Sequence, residues 1–68
     1  MLFETDLKAT LQLLGGTGKT AREVAEEMSV SKPTAYARLR CLAREGRATA
    51  KVERRSARGP LSVVYRKA

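Results

Sequence analysis

The hydrophobic period of this chain changes about two-thirds of the way along. Up to about residue 46 the apolar positions recur three or four apart, the spacing of one helix face. Beyond it they alternate, the spacing of a strand. In "ETDLKATLQLL", Leu7, Leu11 and Leu14 form one stripe. They predict a helix over about Glu4 to Leu14, with Leu2 or Phe3 sealing one end. Gly15 and Gly16 follow, where a helix stops. Thr20 opens a second helix that ends near Glu27 or Met28, with Ala21, Val24, Ala25 and Met28 as its apolar stripe. Thr20 and Glu23 make a T-x-x-E capping box, in which each side chain satisfies an amide the helix leaves open. Val30 points inward from the turn "SVS". Ser31 caps a third helix, "KPTAYARLRCLAREG", with Pro33 in its first turn, where a missing amide hydrogen costs little. Ala35, Leu39 and Leu42 share its inner stripe, while Tyr36, Ala37, Arg40 and Arg44 point the other way. Gly46 marks its exit.

In "ATAKVERR", Ala48, Ala50 and Val52 fall on one side, and in "LSVVYRKA" Leu61, Val63 and Tyr65 do the same. The turn-forming "SARGP" between them predicts a hairpin. A two-stranded hairpin is marginal alone, so this apolar face is expected to fold back on the helical core. The expected fold is α+β: three helices followed by a two-stranded antiparallel β-hairpin, in one domain over residues 1–68.

One stretch competes with this reading. "GGTGKT", Gly15 to Thr20, resembles the end of a phosphate-binding loop. Such a loop reads G-x-x-x-x-G-K-[ST] between a strand and a helix. The first glycine would fall at position 13, which is Leu13, and the segment before it has helical spacing. The stretch is therefore read as a helix end and a helix start.

Composition narrows the function. The 68 residues contain no histidine and one cysteine, Cys41. No disulfide or C-x-x-C zinc site can be built within the chain. Cys41 reads as partly buried structure. No paired carboxylates sit beside a nucleophile and a tuned base, so neither catalysis nor a metal or other cofactor is expected. No apolar run reaches membrane-spanning length and no signal-peptide core is present, which gives a cytoplasmic expectation without a membrane partner. The net charge of +7 is divided unevenly, −2 over residues 1–30 and +9 over residues 31–68. A concentrated basic field favours a polyanion, with nucleic acid the leading candidate and an association with the nucleoid implied.

The order of elements, with "TAREVAEEMSVSKPTAYARLRCLAREG" as the two helices and Ala48 to Ala68 as the wing, resembles the winged helix-turn-helix family of DNA-binding domains. Within it, "GGTGKTAREVAEEMSV", "LAREGRA" and "RRSARGPLSVVYRK" look most like the small bacterial regulators of fimbrial operons, the PapI and FaeA type. That resemblance implies a double-stranded DNA partner and a larger co-regulator protein. Arg47 stands where the family often has an aliphatic residue. The family that binds Z-form DNA has a similar layout, but its asparagine and tyrosine fall at Tyr36 and Arg40.

A recognition helix over about 32–45 would enter the major groove by its N-terminus. Lys32, Tyr36 and Arg40 are the candidates for base contact, with Pro33, Thr34, Ala37 and Arg44 on or beside the same surface. Lys19, Thr20 and Ser31 are candidates for the DNA backbone, because helix N-termini favour anions. Lys51, Arg54, Arg55 and Arg58 are candidates on a wing whose tip spans about 53–60, lying on backbone or minor groove. The expected function is a sequence-specific double-stranded DNA-binding transcriptional regulator, working as a homodimer or as adjacent copies on DNA. A protein-interaction module, or an RNA or Z-form nucleic-acid binder, are the alternatives.

Overall fold

The computed structural model describes residues 3–15, 17–54 and 57–68. Its elements run in the expected order: α1 (Glu4–Leu14), α2 (Ala21–Met28), α3 (Lys32–Arg44), β1 (Ala48–Arg54) and β2 (Leu61–Lys67). The strands pair antiparallel, with Ala48 opposite Lys67, Val52 opposite Val63 and Arg54 opposite Leu61. This is the α+β layout of a winged helix: three helices followed by a hairpin.

Local chemistry explains each helix boundary. The Thr20 hydroxyl accepts the Glu23 amide at 3.2 Å, and the Glu23 carboxylate accepts the Thr20 amide at 2.9 Å, completing the capping box. Helix α2 ends at Ser29, which adopts the left-handed conformation at φ 56°. The Val30 amide donates back to the Ala25 carbonyl at 3.0 Å, so the turn into α3 is tied to the helix it leaves. The Ser31 hydroxyl accepts the Thr34 amide at 3.3 Å, with Pro33 in the first turn of α3. Gly46 takes φ 75° just beyond the end of that helix.

Leu7 and Leu14 of α1, Val24 and Ala25 of α2, and Ala35, Leu39 and Leu42 of α3 are buried together with Ala48 and Tyr65 of the hairpin. Leu11, Ala21, Met28, Val30 and Cys41 pack at the margin of this cluster. Thr10 is the buried polar side chain in it, and its hydroxyl donates to the Asp6 carbonyl at 2.8 Å. Phe3 does not seal the end of α1, since it is 61% exposed. Leu2, the other residue considered for that role, lies outside the described residues, as do Gly16 and Arg55.

The hairpin departs from expectation in what it buries. The face carrying Ala48, Ala50 and Val52 with Leu61, Val63 and Tyr65 meets the core only at its base, through Ala48 and Tyr65. Val52, Leu61 and Val63 are exposed, whereas Val64, on the opposite face, is fully buried. The cause is a second packing surface that periodicity does not reveal. Lys19 pairs with Tyr65 as an antiparallel bridge: its amide donates to the Tyr65 carbonyl at 2.9 Å, and the Tyr65 amide donates to the Lys19 carbonyl at 2.8 Å. The segment through Gly18 therefore lies against Val64. A Cβ on Gly18 would stand 2.7 Å from Val64 Cγ1 and 3.2 Å from the Tyr65 carbonyl oxygen. "GGTGKT" thus ends α1, contributes a one-residue strand beside β2, and caps α2.

Candidate nucleic-acid interface

The inner stripe of α3 is fully buried at Ala35, Leu39 and Leu42. This fixes the rotation of the helix and leaves Lys32, Pro33, Tyr36, Ala37, Arg40 and Arg44 exposed. Lys32, Tyr36, Arg40 and Arg44 are four residues apart and form one ridge of about 18 Å along the helix. The Arg40 guanidinium lies 5.7 Å from the centroid of the Tyr36 ring, within cation–π range. The Tyr65 phenol pKa is raised, first by burial and then by Tyr36, with Arg40 acting in the opposite sense. Thr34 is half-buried, and its hydroxyl accepts from Ser31 at 2.8 Å, so both belong to the cap.

The N-termini of α2 and α3 meet β2 around an open groove of about 340 Å³. Thr20, Ala21 and Arg22 form one wall, Lys32 and Tyr36 another, and Ser62, Val63 and Tyr65 the third. Capping uses the amides of Thr20 and Glu23. The first intrahelical bond is from the Val24 amide to the Thr20 carbonyl, at 3.0 Å. The Ala21 and Arg22 amides thus have no helix acceptor and form the positive end of α2.

Ion pairing sorts the charges. Lys19 pairs with Glu27 at 3.0 Å, Arg22 with Glu26 at 3.4 Å, and Arg38 with Asp6 at 3.7 Å. Arg47 bridges Glu4 at 2.8 Å and Glu45 at 3.2 Å, tying the exit of α3 to the start of α1. Its hydrogen bond holds the Glu4 carboxyl below the ordinary range. Arg66 grips Glu53 with two nitrogens, at 2.6 and 2.9 Å, along one face of the hairpin. Glu23 serves the cap. Every acidic residue is thereby engaged, with cations belonging mainly to the scaffold. Lys32, Arg44, Lys51, Arg54 and Arg58 make no ion pair among the described residues, and Arg40 meets only an aromatic ring. Apart from Lys8 on α1, the uncompensated charge among the described residues lies on the α3 ridge and the hairpin.

The structure brings Thr20, Lys32 and Tyr36, which were singled out separately in the sequence, together around the groove, with Arg40 against the Tyr36 ring. Arg54 and Lys51 fall on opposite faces of β1 by strand alternation. Lys51 stands across from Val64, on the face away from the groove. Arg58 is exposed in the turn between the strands. Lys19 is held by Glu27, so its ammonium would have to leave that carboxylate to reach a phosphate. Arg22 and Val63 were missed. Arg22 had a signal, its place two residues after the N-cap. Val63 had none, because alternation places it on the face expected to be buried.

Comparison with family models, characterised proteins and solved structures returns no match to this chain. Among the described residues no cluster of His, Cys, Asp or Glu is assembled to hold a metal, and no helix is long and apolar enough to cross a membrane.

Proposed function

We propose that this chain is a sequence-specific double-stranded DNA-binding transcriptional regulator. The observation that carries the reading is the sorting of charge: internal acids engage Lys19, Arg22, Arg38, Arg47 and Arg66, and leave Lys32, Arg40 and Arg44 on α3 and Lys51, Arg54 and Arg58 on the hairpin open. Such a surface releases counterions from a polyanion, which supplies salt-dependent affinity. The ridge from Lys32 to Arg44 suits a major groove. Arg40, braced on Tyr36, presents a forked donor set of the kind that reads guanine O6 and N7. The open amides of α2, with Thr20 and Ser31 at their helix ends, suit flanking phosphates. Arg54 and Arg58 suit backbone or minor groove beside them. The protein works by binding, without catalysis or cofactor, at the nucleoid of the cytoplasm. A single copy covers one half-site, so adjacent copies or a larger co-regulator complete the specificity.

Selection of bound sequences from a random duplex pool tests this reading. A recovered motif, bound with an affinity that falls linearly in log salt, is the expected result. Failure to retain any duplex at low salt would refute it.

A further inference from the structure

The outer half of the hairpin carries aliphatic surface that the fold does not use. Val52 and Val63 are direct cross-strand partners, and Leu61 follows on the same face, opposite Arg54. These three are 59%, 40% and 62% exposed. The same face is buried at its base, through Ala48 and Tyr65, so the apolar strip is continuous from the core outward. Strand formation alone does not require it, because threonine has the same branched shape and favours strands without an exposed second methyl.

Three observations say what covers the strip. Val63 lines the groove together with Lys32 and Tyr36, so whatever docks on the α3 ridge also meets the strip. The neighbouring charges are the unpaired cations Lys32, Arg54 and Arg58. The hairpin's own acid, Glu53, lies on the opposite face and is held by Arg66. The occupant must therefore be anionic and must present C–H surface between its charges. The sugar edges of duplex DNA do so between successive phosphates.

We propose that the Val52, Val63 and Leu61 strip packs on the deoxyribose edges bordering the groove that α3 reads. This rests on the DNA-binding reading above. It gives the wing a contact that salt does not screen, and it disfavours RNA, whose 2′-hydroxyls interrupt that C–H surface.

The test is the Val52→Thr/Val63→Thr variant, which keeps side-chain shape and strand preference. Binding to the selected DNA duplex is measured by fluorescence anisotropy across a salt series, with circular dichroism confirming the fold. Loss of two methyl contacts should weaken affinity by about tenfold at every salt concentration. The slope of log affinity against log salt should stay unchanged, because no counterion contact is removed. The wild type should also bind the duplex more tightly than RNA of the same sequence, and the variant should narrow that gap. If the double variant does not fold, Val63→Thr alone carries the same expectation with a smaller loss. Equal binding by wild type and folded variant would overturn the proposal and leave DNA binding standing. No duplex binding by the wild type would overturn both. A variant that alters self-association in sedimentation, or loses binding to anionic phosphatidylserine vesicles while keeping full DNA affinity, would assign the strip to that other occupant and overturn the proposal.

Discussion

Replacing Gly18 with alanine separates the structural account of "GGTGKT" from a phosphate-binding one. Two costs add. The backbone sits at φ 80°, where a side chain meets the following carbonyl, at about 1–2 kcal/mol. The new Cβ would also lie 2.7 Å from Val64 Cγ1 and 2.8 Å from Arg66 Cγ. Arg66 can shift its stem only by disturbing its grip on Glu53. Val64 is fully buried and branched at Cβ, so it has little room to rotate. Overpacking of this kind costs about 1–3 kcal/mol. The stiffer unfolded chain returns about 0.4–1 kcal/mol, which leaves a net loss of about 1–4.6 kcal/mol. A domain of this size has about 3–10 kcal/mol in total, so the variant should be largely destabilised. Gly46→Ala is the control, because φ is 75° there but no atom lies within 4 Å of the added Cβ. It should carry the backbone cost alone. Urea unfolding followed by circular dichroism measures all three proteins. Losses for Gly18→Ala and Gly46→Ala within about 0.5 kcal/mol of each other would refute the packing argument, since overpacking would then contribute less than its expected range.

Calorimetric titration with magnesium ATP or GTP should show no stoichiometric binding, and a micromolar event lost in Lys19→Ala would contradict the role given to that stretch. Arg40→Ala should cost about 1–3 kcal/mol of discrimination between selected and scrambled duplexes, while Arg58→Ala weakens both evenly and flattens the salt slope; binding isotherms on the two duplexes decide it. Ser29→Gly should stabilise the fold by about 0.5–1 kcal/mol, because glycine meets no penalty at φ 56°; the urea midpoint reports it. The Glu4–Arg47 pair predicts an acid dependence. The lowered carboxyl contributes stability above the ordinary carboxylate pKa of 4.5 and loses it as pH falls through the lowered value. The thermal midpoint of wild type should therefore drop more steeply over that acid range than that of Glu4→Gln.

The helices were legible because their signals are local. A capping hydroxyl, a proline in the first turn or a glycine at the exit acts within a few residues of itself. The α3 stripe of Ala35, Leu39 and Leu42 also fixes, by geometry alone, which side chains face outward. The hairpin was legible as a hairpin, since alternation is local too. Which half of it is buried was not, because that depends on Lys19 meeting Tyr65 across 46 positions of chain. The same limit applies to charge. Arg47 looked like an odd replacement for an aliphatic residue, and only the fold reveals Glu4 beside it. Arg38 gave no sequence signal, yet it is mostly buried between Asp6 and Met28.

The bridge between Lys19 and Tyr65 also constrains the order of events during synthesis. A ribosome releases the chain from its N-terminus, so α1, α2 and α3 emerge before the residues that complete their core. Until Val64 and Tyr65 are clear, Gly18 and Lys19 have no strand to lie against, and the cluster that holds Leu7, Leu14 and Leu39 lacks its aromatic member. Without β2 the three helices cannot complete this cluster, so native packing is complete only once the loop from Lys19 to Tyr65 has closed. A truncated product lacking β2 should therefore be cleaved by a protease at sites the full chain protects, and that single pairing separates an unfinished chain from a finished one.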